Sequence, residues 1–189
     1  LGDGLTGFLP AKHSNPFKSD DEVNEDISQI LQSGQNLLVQ VKTEGKENSI
    51  YENHKLPRVT AKLHIPGGFI VYNPYSNTIN CLGNIDAEIF QELEIEVNQK
   101  SGWKSYPSKI KYSKENVVFE MSYLQHQWKE FLQKKQDLDD KAGLIETGPI
   151  AIFRAFMDYG VTSFSNIHAG NRLIFDIIAD WSQKHFPEL

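Results

Sequence analysis

Cysteine is nearly absent. Cys81 stands alone among 189 residues, which excludes an internal disulfide framework and a cysteine-rich zinc site within one chain. A lone thiol fits a reducing compartment, so the cytoplasm is the expected location. Long apolar runs are missing as well: no stretch approaches the ~18 residues that a membrane helix needs. The opening Leu1-Gly2-Asp3-Gly4 carries neither the basic stretch nor the apolar core of a signal peptide. An initiator Met is also lacking, and the first residues read as the middle of a β-domain, so a fragment beginning inside a fold is expected. Bulk positive charge is lacking too. A net charge of -6 argues against a protein that holds nucleic acid through its overall field. There is no internal repeat and no low-complexity tract. What is present is ordinary globular material, 39% apolar and 23% charged, long enough for a sizeable core in one domain or two small ones.

Catalytic patterns are missing in the same way. Nucleophilic catalysis needs Ser or Cys beside His and an orienting acid, and none of the six His lies in a recognisable elbow. No glycine-rich phosphate loop occurs. Asp137, Asp139 and Asp140 are the carboxylate cluster that metal-assisted hydrolysis would want. They sit in the polar stretch that leaves a long helix, and read as its solvated end. No residue is assigned to catalysis.

The order of patterns predicts an α+β chain, β-rich in its front half. Gly7-Phe8-Leu9-Pro10 reads as a strand end entering a loop. An acidic stretch over 14–26 leads into a short helical pattern, Val23, Ile27, Ile30, Leu31, which Gly34-Gln35 closes. A strand follows over Leu37-Leu38-Val39-Gln40-Val41. Val59, Ala61, Leu63 and Ile65 alternate with Thr60, Lys62 and His64, predicting a half-buried strand. Pro66-Gly67-Gly68 turns it into a returning strand, Phe69-Ile70-Val71-Tyr72, stopped at Asn73-Pro74. Residues 86–97 fit a helix capped by Asp86 or an alternating strand equally well. Short strands are expected at Trp103 to Tyr106 and Ile110 to Tyr112. The clearest helix runs from about Lys114 to Lys135, with Val117, Met121, Leu124, Trp128 and Phe131 on its core face. Another helix is expected between Gly148-Pro149 and Gly160, a strand at Phe164-Ser165-Asn166-Ile167, and a last helix capped by Asn171, carrying Ile174, Ile177, Ile178 and Trp181.

Nucleic-acid chemistry has a local signal. Between Lys100 and Lys114 five Lys occur without an acid, interleaved with Trp103, Tyr106 and Tyr112. Lysines neutralise phosphates while aromatic faces stack bases, a mixture suited to single strands. Lys55, Arg58 and Lys62 form a second basic stretch. The same residues read equally as ordinary solvent-facing positions of strands, and composition leaves both readings open.

Several segments, in order, resemble the ribonuclease E/G family. Residues 2–10, Gly-Asp-Gly-Leu-Thr-Gly-Phe-Leu-Pro, look like the end of its OB-fold RNA-binding domain. Gly34-Gln35 with Leu38-Val39-Gln40-Val41 resembles the next strand. Lys55, Arg58-Val59-Thr60 and Ile65 through Pro74 resemble the strand pair that leads to the family's 5′-end-sensing pocket. Met121-Ser122-Tyr123-Leu124 with Trp128, and Arg154-Ala155-Phe156-Met157-Asp158-Tyr159, look like helices of its ribonuclease-H-like subdomain. The implied organisation is a partial OB-fold and connecting hairpin over 1–74, a 5′-sensor-like segment over 75–114 and a ribonuclease-H-like α/β subdomain over 115–189.

The resemblance implies an RNA-binding, substrate-positioning part of a single-strand-specific endoribonuclease. Single-stranded RNA would be the partner, and a homo-oligomer would form through regions absent here. Phe8 and Lys55 map onto the family's RNA-holding aromatic and lysine, while Gly67 and Val71 map onto its pocket lining. Arg58, Lys62, Trp103, Lys104 and Tyr106 complete the expected RNA-binding set. Tyr106 and Pro107 fall where the family's Arg-Thr pair would hold a 5′-monophosphate, so the guanidinium fork is missing. The catalytic aspartates and a zinc-binding Cys pair would follow Leu189. No cofactor is thus expected in this chain, with magnesium, and zinc, belonging to the full-length family member. A catalytically inactive RNA-binding or interaction module is the alternative.

Overall fold

The computed structural model describes residues 1, 4–18, 26–43, 45, 55–80, 102–105, 113–139, 141–148 and 166–185. The elements expected at 86–97, 110–112 and 149–160, together with Cys81, Asp140, Tyr106, Pro107 and most of the 164–167 strand, lie outside them. The described chain is mixed α+β and clusters into two compact units. The first comprises Leu1–His64, Asn73–Ser76 and Lys129–Thr147; the second comprises Ile65–Tyr72, Asn77–Trp128 and Gly148–Leu189.

In the first unit, Asp26 caps the short helix α1 (Ile27–Ile30), its carboxylate accepting from Ser28 N–H. The helix closes at Leu31, already extended at φ -129°, ahead of the end expected at Gly34-Gln35, and Gly34 itself stands at φ +85°. The strand after it begins later than its apolar run suggested: β1 is Gln40–Thr43. It pairs antiparallel with β2 (Arg58–Thr60) in the register Gln40↔Thr60, Val41↔Val59 and Thr43↔Arg58, with a bulge at Lys42. Phe8 flanks the other edge of β2. Its N–H donates to Pro57 O (2.8 Å), and its carbonyl accepts from Val59 N–H (2.9 Å).

The burial alternation of 59–65 is as read, since Val59, Ala61, Leu63 and Ile65 are all buried. The continuous strand is not. β2 stops at Thr60, whose Oγ1 accepts from Lys62 N–H (3.0 Å), an ST-turn that bends the chain. Past the bend, a side chain replaces the strand partner: Gln40 donates from Nε2 to His64 O (2.9 Å) and accepts at Oε1 from His64 N–H (3.0 Å).

In the second unit a four-stranded sheet runs in the order β3 (Ile65–Pro66), β4 (Ile70–Asn73), β6 (Gly102–Ser105), β5 (Ile79–Asn80). β3 and β4 form the expected hairpin, pairing Ile65 with Tyr72 and Pro66 with Val71. β5 lies parallel to β6. The long helix α2 (Lys114–Asp137) starts at Ser113, whose Oγ accepts from Asn116 N–H (3.2 Å). Val117, Met121 and Leu124 are fully buried, whereas Trp128 and Phe131 are only half-buried. Asp139, at φ +47°, lies just past the helix end. The last helix, α3 (Arg172–His185), carries its predicted cap, with Asn171 Oδ1 accepting from Ile174 N–H at 2.9 Å. Among the described residues no helix is long and apolar enough to cross a membrane.

Candidate nucleic-acid interface

Phe8 and Arg58 face the same way because their backbones form a parallel bridge, and bridged residues project side by side. Phe8 is 53% exposed despite its apolar ring, and Arg58 is exposed beside it. Lys55, three residues earlier, is exposed too. Gly45 lets the backbone come close there: a β-carbon on it would stand 2.8 Å from Lys55 O. An uncovered aromatic beside a guanidinium offers a stacking surface and a phosphate partner, and the exposed Lys55 ammonium is a second cation three residues earlier in the chain.

Thr60, Lys62 and His64, the polar face of the 59–65 alternation, open onto a cleft of about 350 Å³ in the first unit. Its other walls are His13, Gln40, Val41 and Lys42. Lys62 was expected to contact RNA; His13, Lys42 and His64 were not, because only the pairing of β1 with β2 brings them together.

The second unit treats its expected residues differently. Trp103 is 1% exposed and packs on Tyr72, ring centroids 4.7 Å apart. Its face is therefore closed to a base, and the stacking role expected of it is corrected to a core role. The neighbouring Lys104 points to solvent, as alternation along β6 requires. Val71 is buried, paired with Pro66. Tyr106 lies outside the described residues.

Gly67 is also buried, and what approaches it is protein. A β-carbon there would stand 2.6 Å from both Cδ and Oε1 of Glu120. Glu120, 0% exposed on α2, accepts at Oε1 from Gly68 N–H and at Oε2 from Phe69 N–H (2.8 Å) and Ile70 N–H (3.0 Å). At the turn of the hairpin Gly67 N–H donates to Ile70 O (2.8 Å). The turn's amides, which a phosphate could have used, hold a resident carboxylate. Sequence reading missed Glu120. Its sole signal was an acid next to Met121 inside the apolar stripe of α2, and such a position usually marks a helix flank.

Among the described residues no group of three or more His, Cys, Asp or Glu is placed to hold a metal ion. Asp137 and Asp139 are both exposed at the end of α2.

No family model matches the chain. It is similar to ribonuclease G of Salmonella typhimurium (strain SL1344) and of Escherichia coli (strain K12). Each is 20% identical over 170 residues, covering 87% of this chain and 33% of the relative. A ribonuclease E/G-like protein of Pyropia yezoensis is 30% identical over 134 residues, covering 68% of this chain and 25% of the relative. The chain thus spans about a third of the length of the ribonuclease G proteins it matches. These distant likenesses, running through most of the chain, point toward ribonucleases of the G and E/G-like kind.

Proposed function

We propose that this chain is an RNA-contacting, substrate-positioning part of a ribonuclease of the E/G family. In this reading the first unit grips single-stranded RNA, and the machinery that breaks the phosphodiester is carried elsewhere. The observation that carries it is the exposed Phe8 ring set beside Arg58 by their backbone bridge, with Lys55 exposed three residues earlier in the chain. Stacking on an aromatic is worth ~1–3 kcal/mol per base, and each cation adds counterion release. The likeness to ribonuclease G supports the class of ligand.

The test is binding of a fluorescent single-stranded RNA by the purified chain, followed by anisotropy at low salt. Phe8→Ala should weaken binding by at least about fivefold, the lower bound of one lost stacking contact. Lys55→Ala should weaken it less and flatten its salt dependence. Full-strength binding by both variants would overturn the site. The chain should leave the RNA intact with magnesium present, and cleavage that co-purifies with it would overturn the positioning role.

A second reading, an inactive relative that keeps only RNA binding, is favoured by two observations. Tyr106-Pro107 stand where a guanidinium and a hydroxyl would hold a 5′-phosphate. Glu120 fills the amides of the neighbouring hairpin turn. Sequencing the gene beyond the codon for Leu189 separates the two, since paired aspartates there belong only to the active form.

A further inference from the structure

We propose that the cleft walled by His13, Gln40, Val41, Lys42, Thr60, Lys62 and His64 binds a phosphate oxyanion. On the RNA reading above, that oxyanion is a backbone phosphodiester beyond the base stacked on Phe8.

The walls are suited to an anion by chemistry and by placement. Two ammonium groups line it, Lys42 from β1 and Lys62 from the bend after β2, and no carboxylate is among the described residues lining the cleft. The bulge in β1 at Lys42 takes that residue out of the ladder. Bulges re-aim side chains in this way, and here Val41 and Lys42 both line the cleft instead of alternating. The ST-turn at Thr60 does the corresponding work on the facing wall. By accepting Lys62 N–H, Thr60 Oγ1 halts the strand and leaves its own hydroxyl proton to donate.

His64 Nδ1 lies 3.1 Å from Lys62 O. Donation from Nδ1 to that carbonyl holds the ring against the wall. Gln40 is committed by both ends of its carboxamide to the His64 backbone, and so acts as a strut holding the wall. At about 350 Å³, the space is at the lower end of the ~300–1,000 Å³ that ligand sites span.

The experiment titrates inorganic phosphate into the ¹⁵N-labelled chain and follows the amides of 40–42 and 60–64. RNA binding of Lys42→Ala/Lys62→Ala is measured beside that of Phe8→Ala. Millimolar phosphate should shift the cleft amides in the parent and leave them unmoved in the double variant. The double variant should bind RNA about tenfold more weakly at low salt, with its spectrum elsewhere unchanged. Cleft amides that ignore phosphate at 50 mM, about fifty times the Kd of a 1 mM site, would overturn the proposal. So would shifts that survive in the double variant. RNA binding that depends on Phe8 but not on the two lysines would sink the phosphodiester assignment and leave the RNA reading standing. Phosphate shifts without RNA binding by any form would keep the oxyanion site, make free phosphate its ligand, and discard the RNA reading.

Discussion

Removing the carboxylate of Glu120 would strand the amide protons of Gly68, Phe69 and Ile70, two of them on buried residues. Each buried donor left unsatisfied costs ~1–3 kcal/mol, so Glu120→Ala should destabilise the fold by about 3 kcal/mol or more in urea unfolding. Glu120→Gln, which keeps one acceptor, should cost less. Gly67→Ala pushes a methyl into the same carboxylate and should cost ~1–3 kcal/mol by overpacking. In a Glu120→Ala background that penalty should shrink, and a double-mutant cycle with no coupling would show that the two do not compete for space. Burial pushes the Tyr75 phenol above the usual tyrosine range. The neutral form is the one the fold favours. Its contribution is therefore intact below the ordinary tyrosine value and drains away as pH climbs through the folded one. Stability should fall above about pH 10, and Tyr75→Phe should blunt the fall. At this scale sequence was a fair guide to which residues are polar and which apolar, but a poor one to accessibility. Trp103 looked like a stacking platform amid lysines, yet its strand turns it inward onto Tyr72.

Among elements, the hairpin 65–72, the long helix and the Asn171 cap were legible because each is set locally. A turn of Pro and Gly, a run of apolar residues at helical spacing and a capping amide need no distant partner to form. The course of the chain past the Thr60 bend was not legible, since His64 is held there by Gln40, 24 residues before it, through both of its backbone hydrogen bonds. Gln40→Ala should therefore do more than an exposed substitution normally does. A loss of about 1–2 kcal/mol follows from two net hydrogen bonds, with faster amide exchange at His64 as the direct readout. Asn171→Ala should cost ~1 kcal/mol, read as lowered thermal stability. An unchanged midpoint would mean that the first turn of α3 is held by something other than its cap.

Across the whole molecule the sign of the charge sets the terms. A chain of net charge -6 repels RNA at long range, so any grip is local and short of counterions to release. If roughly three phosphates are neutralised, each contributes about -0.7 to the logarithmic salt slope for a single strand. Raising salt from about 50 to 200 mM should then weaken binding by roughly 20-fold. A slope near zero would remove phosphate contact from the picture altogether. The α+β class was legible in the order of patterns.

The link between Glu120 and the Gly68–Ile70 turn spans 50 to 52 residues of chain. Closing so large a loop is entropically slow. The hairpin can zip early by itself, but its tip reaches its final shape only when the helix arrives. Folding of that tip is thus the readout of helix docking.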